Sequence, residues 1–116
     1  MILVVDDDDS TREITAAYLR IEGYRVRTAA DGIQALRVLA DETARLLVVD
    51  LSMPNMDGET FITRCRDNRY DAPIIIISAA MSADRVARNL AVAAVLHKPF
   101  TNEELLPLVH YLYGTR

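Results

Sequence analysis

Four consecutive aspartates, Asp6 to Asp9, follow directly on an apolar run, Ile2 to Val5. Asp50 follows the run Leu46 to Val49, and Ser78 follows Ile74 to Ile77. Lys98 follows Val95-Leu96-His97 and precedes Pro99. Brought together, these groups make a carboxylate cluster flanked by a hydroxyl and an ammonium. Carboxylates within a few ångströms of one another resist shared ionisation unless a cation sits among them. Oxygen-only donors suit Mg²⁺, which is typically held by one or two carboxylates, waters and phosphate. A carboxylate can also act as a nucleophile and form an aspartyl phosphate. In phosphoryl transfer the protein mostly positions groups and neutralises charge on the equatorial oxygens. A metal, a lysine and a hydroxyl donor supply those contacts, so the chemistry read here is Mg²⁺-dependent phosphoryl transfer onto a carboxylate.

That reading requires a fold that gathers these four positions. The apolar runs are short and rich in β-branched residues, with a weaker one over Tyr24 to Thr28. Runs of this kind read as strands buried on both faces of a parallel sheet. Helical spacing fills the gaps. Ile14, Ala17, Tyr18 and Ile21 form one apolar stripe; Gly32, Ala35, Leu36 and Leu39 form another; Leu105, Leu106, Val109 and Leu112 form a third. Gly23 is placed to stop the first helix, Asp31 to cap the second and Ser82 the fourth. Thr101 and Glu104 form a capping box for the last. Pro107 lies inside that helix, where a proline costs about 3 kcal/mol, so a kink or a late start is expected. Strands alternating with helices predict five βα units, hence a (βα)5 three-layer α/β/α sandwich. Ligands of such sheets bind beyond the carboxyl ends of the strands, where all four polar groups fall.

The chain has 116 residues, 51% hydrophobic and 26% charged, so disordered and fibrous classes are excluded and a single domain over 1–116 is expected. No apolar run nears the roughly 20 residues of a membrane span, and the N-terminus lacks the marks of a signal peptide. The net charge of −4, with 13 basic residues scattered along the chain, disfavours nucleic-acid binding. A lone cysteine, Cys65, forms no internal disulfide and is read as a reduced, half-buried thiol in a cytoplasmic protein. His97 is read as a partly exposed strand residue and His110 as a helix-surface residue, neither a ligand. Met56 and Met81 are read as loop packing, and Arg85 and Arg88 as the solvated face of helix four.

The order of these motifs resembles the response-regulator receiver domain along the whole chain. Val4-Val5-Asp6-Asp7-Asp8 resembles the family's acidic pair after strand one. Val48-Val49-Asp50-Leu51-Ser52-Met53-Pro54-Asn55-Met56-Asp57-Gly58 is similar to its phosphoacceptor segment. Ile77-Ser78-Ala79 and Lys98-Pro99-Phe100 match its hydroxyl and lysine positions. The resemblance implies a doubly wound, flavodoxin-like fold with a five-stranded parallel sheet. It makes Asp50 the phosphoacceptor, Asp7 a direct Mg²⁺ ligand, and Asp6 a ligand acting mainly through water. The backbone carbonyl of Ser52 and the Asp50 carboxylate complete the metal set. Ser78 bonds a phosphoryl oxygen. Lys98 pairs with Asp50 and then with the phosphoryl group, and the Lys98–Pro99 bond is cis. Met53, Pro54 and Gly58 shape the loop beside the metal. The implied partner is a sensor histidine kinase or phosphotransfer protein. The implied product is a switch that assists its own phosphorylation and dephosphorylation, not an enzyme, within two-component signalling. An effector protein or a second copy would dock on the helix four–strand five–helix five face, with no nucleic acid or membrane involved.

Two departures from the family pattern touch that face. Val95 stands where an aromatic residue usually reports phosphorylation. Ala91-Val92-Ala93-Ala94 replaces the customary glycine, in a stretch slightly shorter than usual. Ser52 and Ala80, the positions that tune phosphate lifetime, carry short side chains, which points to moderate self-hydrolysis. The chain is read as a stand-alone receiver or a piece of a larger regulator. A non-phosphorylated interaction module on the same fold is the alternative. A phosphatase would want a second aspartate at position 52, and a nucleotide carrier would find four aspartates repelling its phosphate.

Overall fold

The computed structural model describes residues 1–114; the Thr115-Arg116 tail, expected just past the last helix, lies outside the described residues. Elements alternate without exception: β1 (Ile2–Val5), α1 (Asp9–Ile21), β2 (Val26–Ala29), α2 (Gly32–Asp41), β3 (Leu46–Asp50), α3 (Gly58–Asp67), β4 (Ile74–Ser78), α4 (Ala83–Asn89), β5 (Ala94–His97) and α5 (Asn102–Tyr113). The strands are all parallel, in the order β2-β1-β3-β4-β5. This is the doubly wound α/β sandwich that the alternating pattern predicts.

Strand periodicity explains the two cores. Leu3, Val5, Leu47, Val49, Ile74 and Ile76 point to one face and pack with Ala35, Val38, Phe61, Ile62 and Val86 of α2, α3 and α4. Ile2, Val4, Leu46, Val48, Ile75 and Ile77 point to the other and pack with Ala16 and Leu19 of α1 and Leu105 and Val109 of α5. Because both faces are covered, β1, β3 and β4 are buried throughout, and apolar except for Asp50 and Ser78 at the carboxyl ends of β3 and β4. The edge strands are only half-buried and carry Arg27, Thr28 and His97.

Several local expectations hold and several do not. Gly23, at φ 95°, ends α1; the Asp31 side chain caps α2; Thr101 and Glu104 form the capping box of α5. Ser82 precedes α4 without capping it: its backbone is already helical, and its side chain makes no cap hydrogen bond. The late start expected at Pro107 does not occur, since α5 begins at Asn102. Pro107 and Glu103, whose carbonyl loses its amide partner, are both exposed, so water can satisfy that oxygen.

The stripe assigned to α1 faces outward. Ile14, Tyr18 and Ile21 are 53%, 41% and 80% exposed, whereas Thr15, Ala16 and Leu19 are buried. The helix is rotated by its anchorage. Asp8 caps it through the amide and hydroxyl of Thr11, and the Arg12 guanidinium is tied to the Asp6 carbonyl at 2.9 Å and to Asp9 at 2.6 Å. Those ties turn the 12–15–16–19 face to the sheet, where small Thr15 and Ala16 allow close approach. Two other readings change. Met81 is fully exposed and packs on nothing, while Met56 does pack. Cys65 is buried, not half-buried, and burial pushes its thiol up to about 11.

Candidate functional site at the carboxyl edge of the sheet

The chain winds in opposite directions from β1 and β3, so a crevice opens at their carboxyl ends. Register decides what lines it. Val5 pairs with Val49, which sets Asp6 beside Asp50; Asp50 pairs with Ile77, and Ser78 with His97. The Lys98 amide then donates to the Ser78 carbonyl at 2.9 Å. Four strands therefore deliver Asp6, Asp50, Ser78 and Lys98 to one edge, one residue past each apolar run or nearly so.

Asp6 and Ser78 are wholly buried and Asp50 is 4% exposed, whereas Asp7 faces solvent. One oxygen from each of Asp6, Asp7 and Asp50 lies within 4.8 Å of the others. The Lys98 ammonium sits 3.1 Å from Asp6 Oδ2 and 3.5 Å from Asp50 Oδ2, so it leans toward Asp6 more than toward the expected Asp50. Asp6 Oδ1 accepts the Asp8 amide at 2.9 Å. Asp6 Oδ2 is buried and accepts no well-directed hydrogen bond; the ammonium is its electrostatic partner. The Asp50 carboxyl is pushed up to about 6. Burial is the main cause and the Asp6 charge the next, with the Lys98 ammonium and the Ser52 amide pulling the other way. Burial alone would lower Lys98; the Asp6 and Asp50 carboxylates outweigh it and raise the ammonium above its ordinary value. The cluster thus carries more negative than positive charge in a confined space, and an additional hard cation would relieve it.

The remaining candidates lie around this core. The Ser52 amide donates to Asp50 Oδ1 at 3.3 Å, which bends the β3–α3 loop over the acidic groups. Ser78 Oγ accepts the Ala80 amide at 2.9 Å, a local bond that leaves the hydroxyl proton free to be donated. The Lys98–Pro99 bond is cis, as the resemblance implies. His97 is exposed at the end of β5, 3.5 Å from Asp84. Arg12 supports the site through the Asp6 carbonyl, and no sequence pattern announces a contact at that separation. The Asp31–Asn55 hydrogen bond, 3.0 Å, joins the α2 start to the β3–α3 loop, and no sequence pattern announces it either.

Beside Lys98, an open groove of about 470 Å³ is lined by Ile14, Tyr18, Ala79, Pro99 and Phe100. The outward stripe of α1 is one wall of it.

Comparison with known proteins agrees with this geometry. The family model of the response regulator receiver domain matches residues 2–110. Response regulator MprA of Mycobacterium ulcerans is 39% identical over 107 residues, covering 90% of this chain and 46% of that protein. The chain thus spans about half the length of the curated relatives it matches. The receiver domain of NtrX from Brucella abortus superposes with a TM-score of 0.91 at 27% identity, over 100% of both chains. The response regulator TrrA of Thermotoga maritima, solved in complex with Mg²⁺-BeF, superposes with a TM-score of 0.85 at 32% identity, over 96% of each chain. Fold, strand-end groups and family match converge, and the chain belongs to the receiver domains of two-component response regulators.

Proposed function

We propose that this receiver takes a phosphoryl group on Asp50 from a phosphohistidine of a sensor kinase or phosphotransfer protein. The observation that carries the reading is the meeting of Asp6, Asp7, Asp50 and Lys98 at one edge. The crowded carboxylates of Asp6, Asp7 and Asp50, which share the single Lys98 ammonium, and the oxygen-only donor set fit Mg²⁺. Asp6, Asp7, Asp50 and the Ser52 carbonyl would hold it. When bound, the ion supplies positive charge to the phosphoryl oxygens.

The chain's own groups do the rest. An Asp50 oxygen forms the new bond to phosphorus as the donor's N–P bond breaks. With its carboxyl at about 6, Asp50 is mostly ionised at neutral pH and so competent as a nucleophile. Lys98 sits where it can follow the charge from the carboxylate to the phosphoryl group. Ser78 turns its free hydroxyl proton to a phosphoryl oxygen. The groove along Ile14, Tyr18 and Phe100 gives a donor protein an apolar seat next to Lys98. Output then runs through a population shift at the α4–β5–α5 face toward an effector or a second copy.

Intact mass after incubation with a small-molecule phosphodonor tests the reading. A single added phosphate that needs Mg²⁺ and is absent from Asp50→Asn is expected. No adduct and no Mg²⁺ binding would overturn it and leave a constitutive interaction module. Phosphate lifetime is a finer test. Ser52 and Ala80, two residues past Asp50 and Ser78, line with Ser82 an opening of about 350 Å³ by which water would reach the acceptor. Larger side chains at Ser52 and Ala80 should lengthen the lifetime; an unchanged one would count against water entry by this route.

A further inference from the structure

The loop that carries Ser52 is held at both ends, by unlike means. Its far end is pressed on the strand it left. The Gly58 amide donates to the Leu51 carbonyl at 2.9 Å, and a Cβ at Gly58 would stand 2.4 Å from the Asp50 carbonyl oxygen. Its tip has no such backing from β3. Asn55 takes a left-handed backbone, φ 68°, and its Nδ2 donates to Asp31 Oδ2 at 3.0 Å. The other Asp31 oxygen caps α2 by accepting the Gln34 amide at 2.8 Å. Next to this bond, Met56 lies on Gly32 so closely that a Cβ there would come within 2.9 Å of its Cγ and Sδ. Asp31 is buried, and these hydrogen bonds hold its carboxyl below the ordinary carboxylate range, so the acceptor is a charged one.

We infer that Asp31, through Asn55 and with Met56 seated on Gly32, is a positioning residue that braces the β3–α3 loop and so sets the Ser52 carbonyl for the cation. This inference rests on the metal-binding reading above. Asp31 touches no reacting atom; it acts through the loop. Outer contacts of this sort commonly weaken metal affinity tenfold or more when broken.

Charge and hydrogen bonding can be set against each other here. Asp31→Asn keeps an oxygen for the Gln34 amide, and Asn55 can turn its amide over to accept from the new NH2, so a charge-assisted bond becomes a weaker neutral one. Asn55→Asp loses the bond, because two carboxylates then face each other, yet it adds negative charge near the site. The double exchange, Asp31→Asn with Asn55→Asp, restores donor to acceptor with the net charge unchanged, and aspartate tolerates the left-handed backbone. Mg²⁺ affinity by titration calorimetry should fall about tenfold in Asn55→Asp, by less in Asp31→Asn, and return to within about twofold of wild type in the exchange. If Asn55→Asp binds Mg²⁺ more tightly, charge governs and the brace is overturned. Failure of the exchange to recover affinity overturns it as well.

Amide hydrogen exchange of residues 52–57 without metal is the second readout. Protection should drop most in Asn55→Asp, by less in Asp31→Asn, and recover in the exchange, while β1 and β4 stay protected. Unchanged loop protection in the single variants overturns the brace whatever the metal does. A wild type that binds no Mg²⁺ but shows this pattern would sink the metal reading and leave the brace standing.

Discussion

The two ends of the central sheet edge are built to different tolerances. Around β1 and β3, strands are wholly buried, and the neighbouring helices α1, α2 and α3 start from aspartates, Asp8, Asp31 and Asp57, whose side chains all accept a first-turn amide. Gly58 lies against the Asp50 backbone. Around β5, the strand has one buried residue, Leu96, and α4 is seven residues long with no side-chain cap. Ala91 sits in a left-handed conformation at φ 54° without glycine's freedom. The α4–β5 turn has backbone bonds from Val92 to Ala87 and from Ala93 to Ile74, 3.0 Å each, and Arg66 of α3 adds longer ones to the carbonyls of Leu90 and Ala91, 3.4 Å each, while its shorter bonds, to Tyr70 at 2.7 Å and Ala72 at 3.2 Å, hold the α3–β4 loop. Chemistry needs fixed atoms, whereas a switch needs an element that can be repacked at small cost. The contrast suits a domain in which the acidic edge stays put and the α4–β5 side moves.

Gly58→Ala strikes the fixed end. The added methyl meets backbone atoms of Asp50 and Leu51, which cannot step aside as a side chain would. A loss of about 3 kcal/mol in urea unfolding is expected, near the top of the usual range for overpacking. A loss under about 1 kcal/mol would mean that the acidic edge is softer than its contacts imply.

Arg66→Met strikes the other end. It keeps much of the stem's packing and removes a guanidinium serving four carbonyls, so about 2 kcal/mol should be lost. The location of the loss matters more than its size. Hydrogen exchange should quicken over residues 70–73 and 90–94 and leave β1 and β3 unaffected. A uniform increase over the whole sheet would erase the distinction between the two ends.

The same contrast governs how much could be read from the chain. Buried strands announce themselves locally: an apolar run ends, a polar residue follows, and register in a parallel sheet brings Asp6, Asp50, Ser78 and Lys98 together without further instruction. Caps at Asp31 and Thr101 are equally local, since a side chain bonds an amide three residues on. The α1 stripe is not legible in this way, because Ile14, Tyr18 and Ile21 compete with Thr15, Ala16 and Leu19, and hydrophobicity favours the outward set. Arg12 settles the rotation through its bond to the Asp6 carbonyl, which exists only once β1 is in place. Ser82, Met81 and the Arg66 contacts belong to the α4–β5 side, where short elements leave little periodicity to read. The Asp31–Asn55 bond spans 24 positions, and nothing in either segment names the other.

Ala91→Gly gives the smallest change and the sharpest test of why that side is soft. An L-residue in the left-handed region costs roughly 1 kcal/mol, and glycine's greater freedom in the unfolded chain takes back part of any relief. The expected result is a gain of about 0.5 kcal/mol in urea unfolding, opposite in sign to the two substitutions above. Glycine has no side chain to lose here, since Ala91 is exposed and its contribution to the turn is a carbonyl offered to Arg66. If strain at Ala91 is what weakens the turn, the gain should persist in the Arg66→Met background. A gain that vanishes there would show that Arg66 already compensates for the strained backbone. A loss in either background would mean that the alanine restricts the turn usefully, and that the softness of this side comes from the shortness of α4 and β5 alone.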